Sequence, residues 1–163
     1  MTTHGVVYVH AAPPALAPHV QWALAGVLGM PVDLDWSPQP AEAGTLRAEV
    51  CWQGAAGTAA RIASALRGWA RLRFEVTEDP AAEVEGARFS YTPTLGMFHA
   101  LIGSTGDILL PEQRLRAALE GPMGSDGLGA ELDRLLGGPW DDELEPFRYA
   151  GDGAPVRWLH QVG

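Results

Sequence analysis

Between residues 6 and 77 an alternation of apolar and polar positions gives way twice to one-sided apolar stripes. Val6-Val7-Tyr8-Val9-His10 is β-branched and aromatic, which predicts a strand, and Ala11-Ala12-Pro13-Pro14 punctuates it. Residues 18–28 then carry Val20, Ala23, Leu24, Val27 and Leu28 at helical spacing, with Pro18 in the first turn and Gly29 as the stop. Val32, Leu34 and Trp36 alternate with Asp33 and Asp35; Leu46, Ala48, Val50 and Trp52 alternate with Arg47, Glu49 and Cys51. Each segment reads as a strand with one core face. The Pro-rich connection over 37–44 suits a loose hairpin, which would set Arg47 across from Asp33 or Asp35. A second helix over 58–69 turns Ile62, Leu66 and Trp69 inward and shows Arg61, Ser64 and Arg67 to water. A fourth strand places Leu72, Phe74 and Val76 inward and Arg73 and Glu75 outward. The order strand, helix, strand, strand, helix, strand predicts an α+β fold with a ferredoxin-like βαββαβ core over residues 1–80. Trp36, Trp52, Trp69, Leu66 and Phe74 are expected to be buried together.

Asp79-Pro80 closes that unit, and residues 81–163 read as a C-terminal elaboration packed on it within one structural domain. Strands at 89–91, 97–102 and 107–110 form a meander that extends the antiparallel sheet. Helices at 111–119, 125–136 and 140–145 follow, and a last strand at 156–162. The outward face of the core strands would carry Tyr8, His10, Arg47, Glu49, Arg73 and Glu75. Either the C-terminal half covers that face, with the charges paired across strands, or the face is a platform for a ligand or partner.

With 163 residues, 47% of them apolar, the chain can build its own core. No stretch approaches the ~20 apolar residues of a membrane span. Met1-Thr2-Thr3-His4 lacks the features of a signal peptide, so a cytoplasmic protein is expected. Cys51 is alone and the five histidines are scattered, which predicts no disulfide, no metal and no cofactor. All 11 basic residues are Arg, and Lys and Asn are absent, the pattern of a high-GC genome. Without Lys there is no Schiff base, no amine nucleophile and no phosphate-loop Lys. The net charge of −9 is concentrated in residues 81–163, where six Arg face thirteen acids. That balance opposes nucleic acid and anionic membranes and favours a protein partner with a basic surface, or a small molecule.

Few motifs carry chemistry. Gly54-Ala55-Ala56-Gly57-Thr58 precedes a helix, so its amides could converge on a phosphate or carboxylate, although Gly and Thr are also ordinary helix caps. His10 and His19 bracket the first loop; beside Asp33 or Glu49 either would resemble a general base with an orienting carboxylate, whereas a hydrogen-bonded structural His is the simpler reading. No Gly-x-Ser-x-Gly elbow is present, Cys51 lacks an acidifying helix N-terminus, and no aromatic RNA-binding pair accompanies Tyr8. Trp22 lies off its helix stripe, as at an interface. Asp141, Asp142 and Glu143 open an acidic run that suits a helix start or, with Trp22, a docking patch for a basic partner.

Gly5-Val6-Val7-Tyr8-Val9-His10-Ala11, Pro18-His19-Val20-Gln21-Trp22-Ala23, Arg73-Phe74-Glu75-Val76-Thr77-Glu78-Asp79-Pro80 and Leu144-Glu145-Pro146-Phe147-Arg148 together resemble an actinobacterial family of uncharacterised proteins of about this length. The likeness spans nearly the whole chain and brings no catalytic residues with it. Members are often encoded beside fatty-acid synthesis genes, so the resemblance implies a partner in that machinery. The expected function is that of a non-catalytic binding or regulatory protein. The alternative is a small cofactor-free enzyme or small-molecule sensor working at His10 and His19 or at the Gly54 to Thr58 turn.

Overall fold

β1 (Thr2–Ala12) leads through a 3-10 turn at Pro14–Leu16 into α1 (Ala17–Leu28), β2 (Ser37–Pro38), β3 (Leu46–Ala55), α2 (Thr58–Leu66) and β4 (Arg73–Glu78). β5 (Gly86–Thr92), β6 (Gly96–Ile102), β7 (Ile108–Leu109), α3 (Glu112–Glu120), α4 (Ser125–Leu135) and α5 (Gly138–Tyr149) follow. The computed structural model describes residues 1–121 and 125–149; the strand expected over 156–162 lies outside them. The fold is mixed α+β, with one seven-stranded sheet in the order β2-β3-β1-β4-β5-β6-β7 and every neighbouring pair antiparallel.

The period-two pattern accounts for the sheet's central strands. Val7 and Val9 on β1, Ala48 and Trp52 on β3, Phe74 and Val76 on β4 and Phe89 on β5 share one core cluster with Val20 and Leu24 of α1 and Ile62 and Leu66 of α2. Trp52, Leu66 and Phe74 are buried in it, while Trp36 and Trp69 pack on it only partly buried. The two helices cover that face because their stripes match it, and residues of the other parity, Tyr8, Glu75 and Ser90, form a row across the opposite face. Gly5 on β1 marks a close approach: a Cβ there would run into the Thr77 carbonyl and the Trp52 ring.

Three elements differ from the sequence pattern. Residues 31–36 keep alternating burial yet form no ladder. Gln21 Oε1 instead accepts the Leu34 amide at 3.3 Å and the Trp36 indole N–H at 2.8 Å, doing with a side chain what a strand partner would do. The short β2 sets Ser37 opposite Arg47, leaving Asp33 and Asp35 exposed and outside any strand. Pro38 has no N–H to give, which an edge strand tolerates. α2 ends at Leu66, and Trp69 follows in a turn closed by its amide on the Leu66 carbonyl.

The third difference is the largest. α5 runs on through Pro146 to Tyr149 instead of stopping at Glu145. Proline cannot bond the carbonyl four residues back, here that of Asp142, but both residues are exposed, where an unpaired carbonyl costs little. The extra turn carries Phe147 and Arg148 onto the sheet.

Trp52→Ala is expected to cost about 3–5 kcal/mol, the range for removing a large aromatic from a packed core. Gly5→Ala, overpacking the same spot against backbone, should cost about 1–3 kcal/mol. Urea-unfolding midpoints of the two variants check the β1–β3 register; an unchanged midpoint in either would mean the strands are paired one residue out.

Candidate functional site

Glu75 is 0% exposed at the centre of the sheet face that the N-terminal helices leave open. A lone carboxylate there would be strongly destabilising. Arg148, 1% exposed, reaches it from α5, with Nε donating to Oε2 at 2.9 Å and Nη2 to Oε1 at 2.5 Å. Ser90 Oγ donates to Oε1 at 2.9 Å, and His10 Nε2 lies 2.7 Å from Oε2. Each carboxylate oxygen therefore holds two partners, filling the four acceptor positions of the group. Burial pushes the Glu75 carboxyl up; the His10 hydrogen bond and charge, and then Arg148, outweigh it and hold the group at about 2. Arg148 Nη2 also donates to Asp141 Oδ1 at 3.0 Å, and Gln39 Nε2 donates to the carbonyls of His10 and Phe147 at 2.7 and 3.3 Å.

The helix that delivers Arg148 is aligned by residues four apart. Trp140, Leu144 and Arg148 are its buried positions. Trp140 and Leu144 pack on Phe98 and Ala100 of β6, and the Trp140 indole N–H bonds the Gly96 carbonyl at 3.0 Å. Arg73 lies against the Phe147 ring, 4.6 Å from its centroid, and bonds Glu42 at 2.9 Å. His10 is 2% exposed, with its ring stacked 6.0 Å from Tyr8. A His–Glu pair can orient a general base, but here both ends are closed off from solvent. Its chemistry is that of a clamp.

Arg88, beside the clamp on β5, is unlike Arg148. It is 8% exposed, and its Nε and Nη2 have no hydrogen-bond partner among the described residues. Its guanidinium sits over the Phe98 ring, 5.6 Å from the centroid, under Gly137, where a Cβ would lie 3.3 Å from Nη2. Gly137 has φ of +85° and adds no side chain to this crowded turn between α4 and α5. Burial lowers the Arg88 pKa, partly offset by Asp141 and Glu75.

A cavity of about 650 Å³ opens next to the clamp, between β6, α3, α4 and α5. Met97, Phe98 and His99 all line it although successive strand side chains point to opposite faces, so this wall is the edge of β6. β7 pairs only with Leu101 and Ile102, so among the described residues no strand covers the rest of that edge. Ala117, Ala118, Leu135 and Trp140 make the remaining apolar wall, and Arg114, Glu131 and Arg134 the polar rim. Arg134 is committed to Glu131 through bonds of 3.0 and 2.7 Å, whereas Arg114 has no ion-pair partner among the described residues.

The structure separates most residues that the sequence offers as sites. His10 belongs to the clamp, while His19 is exposed on α1, on the other side of the sheet, edge-on to Trp22 at 5.2 Å and 6.0 Å from Trp69. The two histidines share no site. At the turn before α2, Gly57 and Ala59 amides do converge on a carboxylate, that of the chain's own Glu78, at 2.8 and 3.0 Å. Thr3 Oγ1 adds a third bond to it at 3.1 Å. Thr58 Oγ1 caps locally onto the Ala55 carbonyl at 2.7 Å, and Gly54 lies against it. Trp22 is 67% exposed, as expected of an interface residue, but the acids of α5 lie across the sheet from it. Asp141 is bonded to Arg148, and Glu143 to Thr94 at 2.6 Å and Thr92 at 3.2 Å, leaving Asp142 exposed. Of the outward charges, Arg73 finds Glu42 on a loop, whereas Glu75 pairs across strands with His10 and also with Arg148 of α5.

Sequence reasoning missed Arg148, Ser90, Arg88, Arg114 and His99. Arg148 had a legible signal, its four-residue spacing from Leu144 and Trp140. Among the described residues no group of three or more His, Cys, Asp or Glu could hold a metal ion, and no helix is long and apolar enough to cross a membrane.

The chain belongs to a protein family whose description is "Protein of unknown function (DUF3145)"; the family model matches residues 6–161. No curated protein and no solved structure matches it.

Two neighbouring substitutions should act in opposite directions. Glu75→Gln takes the two charge-assisted bonds of its carboxylate from the buried Arg148 guanidinium, leaving it the partly exposed Asp141, and is expected to cost about 3–5 kcal/mol at pH 7. The folded carboxyl lies at about 2 against 4.5 for the free group, so its stabilisation is present above 4.5 and lost as pH falls toward 2. The gap between wild type and Glu75→Gln should close over that window. Arg88→Met removes an unpaired buried cation and should be neutral or stabilising by up to about 1–4 kcal/mol. Urea midpoints measured as a function of pH test both.

Proposed function

We propose that this chain is a non-catalytic binding protein, regulatory in role, that takes a small molecule into the cavity bounded by β6 and α3 to α5. The observation that carries the reading is the contrast between two neighbouring regions. The His10–Glu75 pair, the one able to orient a general base, is saturated inside a solvent-excluded clamp. The cavity beside it has apolar walls, a few polar groups and a volume of about 650 Å³, within the usual range for ligand sites. The enzymatic alternative at His10 and His19, and a sensor at the Gly54 to Thr58 turn, are less well supported, since the histidines are apart and the turn already holds Glu78.

The finer features belong to the same proposal. We read β4-β1-β3-β2, with α1 and α2 between them in sequence, as a ferredoxin-like core on which the later strands and helices build the ligand site. The compartment is the cytosol, in keeping with the lone Cys51. A protein partner with a basic surface, in fatty-acid synthesis as the family resemblance implies, would meet a chain of net charge −9. Trp22 is the exposed aromatic best suited to anchor it.

The test is capture from the small-molecule fraction of a cell extract, followed by gel filtration and native mass spectrometry. One ligand per chain is expected, released with the mass at which it exists in the untreated extract. Ala118→Trp, which fills the cavity from α3, should abolish retention while leaving the unfolding midpoint close to wild type. Retention of the same mass by that variant, or release of a chemically altered molecule, would overturn the reading.

A further inference from the structure

Arg114 stands out among the α3 and α4 arginines on electrostatic grounds. Its neighbour Arg116 is spent on Glu112 four residues back, at 2.9 and 2.5 Å, and Arg134 on Glu131. Arg114 lines the cavity without a carboxylate partner among the described residues, in a half of the chain where six Arg face thirteen acids. A cation at the rim of an apolar cavity, with no carboxylate beside it among the described residues, complements an anion that those residues do not supply. His99 lines the same cavity. Its ring is stacked on Phe89 at 4.4 Å, which fixes it at the β6 edge.

The walls define the rest of the ligand. Phe98 and Trp140 meet at 5.2 Å between ring centroids, and with Met97 and Leu135 they form an adaptable aromatic and thioether surface. We infer that the cavity takes an organic acid with a single oxoanion head, carboxylate or phosphate ester, on an apolar body, the head meeting Arg114 and His99 and the body lying on Phe98, Trp140, Met97 and Leu135. This inference rests on the reading of the cavity as the ligand site and adds the chemical class of its occupant.

Burial and the positive charge of Arg114 both lower the His99 pKa. An anion seated between them removes the second influence, and the His99 titration should then move up. The other charged groups on the cavity walls are Glu131 and Arg134, which neutralise each other.

Four probes with the same body decide the matter: 4-phenylbutyrate, 4-phenylbutyl phosphate, 4-phenylbutanol and 4-phenylbutylamine, each titrated into the full chain. Tryptophan fluorescence and the imidazole resonances are read together, with His99 identified by its absence from His99→Gln. The inference expects at least one of the two anions to bind at one site, shifting the His99 resonance and raising its titration. The alcohol should bind at least about tenfold more weakly, and Arg114→Gln should weaken the anion by about tenfold while Arg114→Lys restores most of it. The better anion names the head group. Arg114 is exposed, so these variants should fold as wild type does. If the alcohol binds as tightly as the acids, or Arg114→Gln changes nothing, the anionic class is wrong although the cavity remains a binding site. If no probe binds while extract capture still loads the wild type and not Ala118→Trp, this inference alone falls. If extract capture fails as well, both readings fall.

Discussion

The arrangement of the C-terminal half depends on one ion pair, that between Glu75 and Arg148. Glu75 sits on a central strand and faces away from α1 and α2, a position where a carboxylate is costly unless it is both paired and fully hydrogen-bonded. Arg148 meets both conditions at once by presenting two N–H groups side by side, while His10 and Ser90 take the remaining lone pairs. Such a pair adds little net stability over an apolar alternative. Its effect is on geometry, because α5 satisfies Arg148 only when it lies in one place and one rotation. Trp140 and Leu144 then fall on Phe98 and Ala100, and the cavity beside them acquires its wall.

Internal saturation explains why several apparent sites are not open ones. The N-terminal end of α2 attracts a negative charge, and Glu78 on β4 supplies it, with Thr3 completing the cap. Of the acids at the α5 start, Asp141 is taken up by Arg148 and Glu143 by Thr92 and Thr94 at the end of β5. In each case a carboxylate that would draw a cation or a partner from outside is spent on holding an element to the sheet. Arg88 and Arg114 escape this pattern in different surroundings. Arg88 is sealed under the Gly137 turn, where its charge is a cost to folding. Arg114 stands in the open at the mouth of the cavity, where water can solvate its charge.

The sheet edge makes the cavity possible. An exposed strand edge is a hazard that proteins usually shorten, charge or cover. Among the described residues β7 covers only the far end of β6, and α3 and α4 stand off the remainder, so the edge faces the cavity. His99, Arg114 and the Arg134–Glu131 pair keep that space polar at its rim and apolar in its depth.

The sequence by itself determined the elements whose pattern is local. Alternation in β1, β3 and β4 and the stripes of α1 and α2 assigned Val7, Val9, Trp52, Ile62, Leu66, Phe74 and Val76 to one core face, and all are buried there, because burial on a sheet or helix follows directly from a period of two or 3.6. The extended meander and the three later helices were legible for the same reason. Only the tertiary structure decided what lay on the other face. Residues 32–36 alternate like a strand, yet Gln21 on a neighbouring helix takes the hydrogen bonds that a ladder would need. Pro146 reads as a helix stop, yet α5 passes it, because the exposed Asp142 carbonyl can turn to water while Arg148 is drawn to a charge 73 residues earlier. The cavity could not be read from any segment, since its walls come from β6, α3, α4 and α5 and no periodicity records a space between elements. Pairings between buried charges leave no periodic trace either: Glu75 looks like an outward residue in sequence, and becomes an interior one only when α5 lies on it.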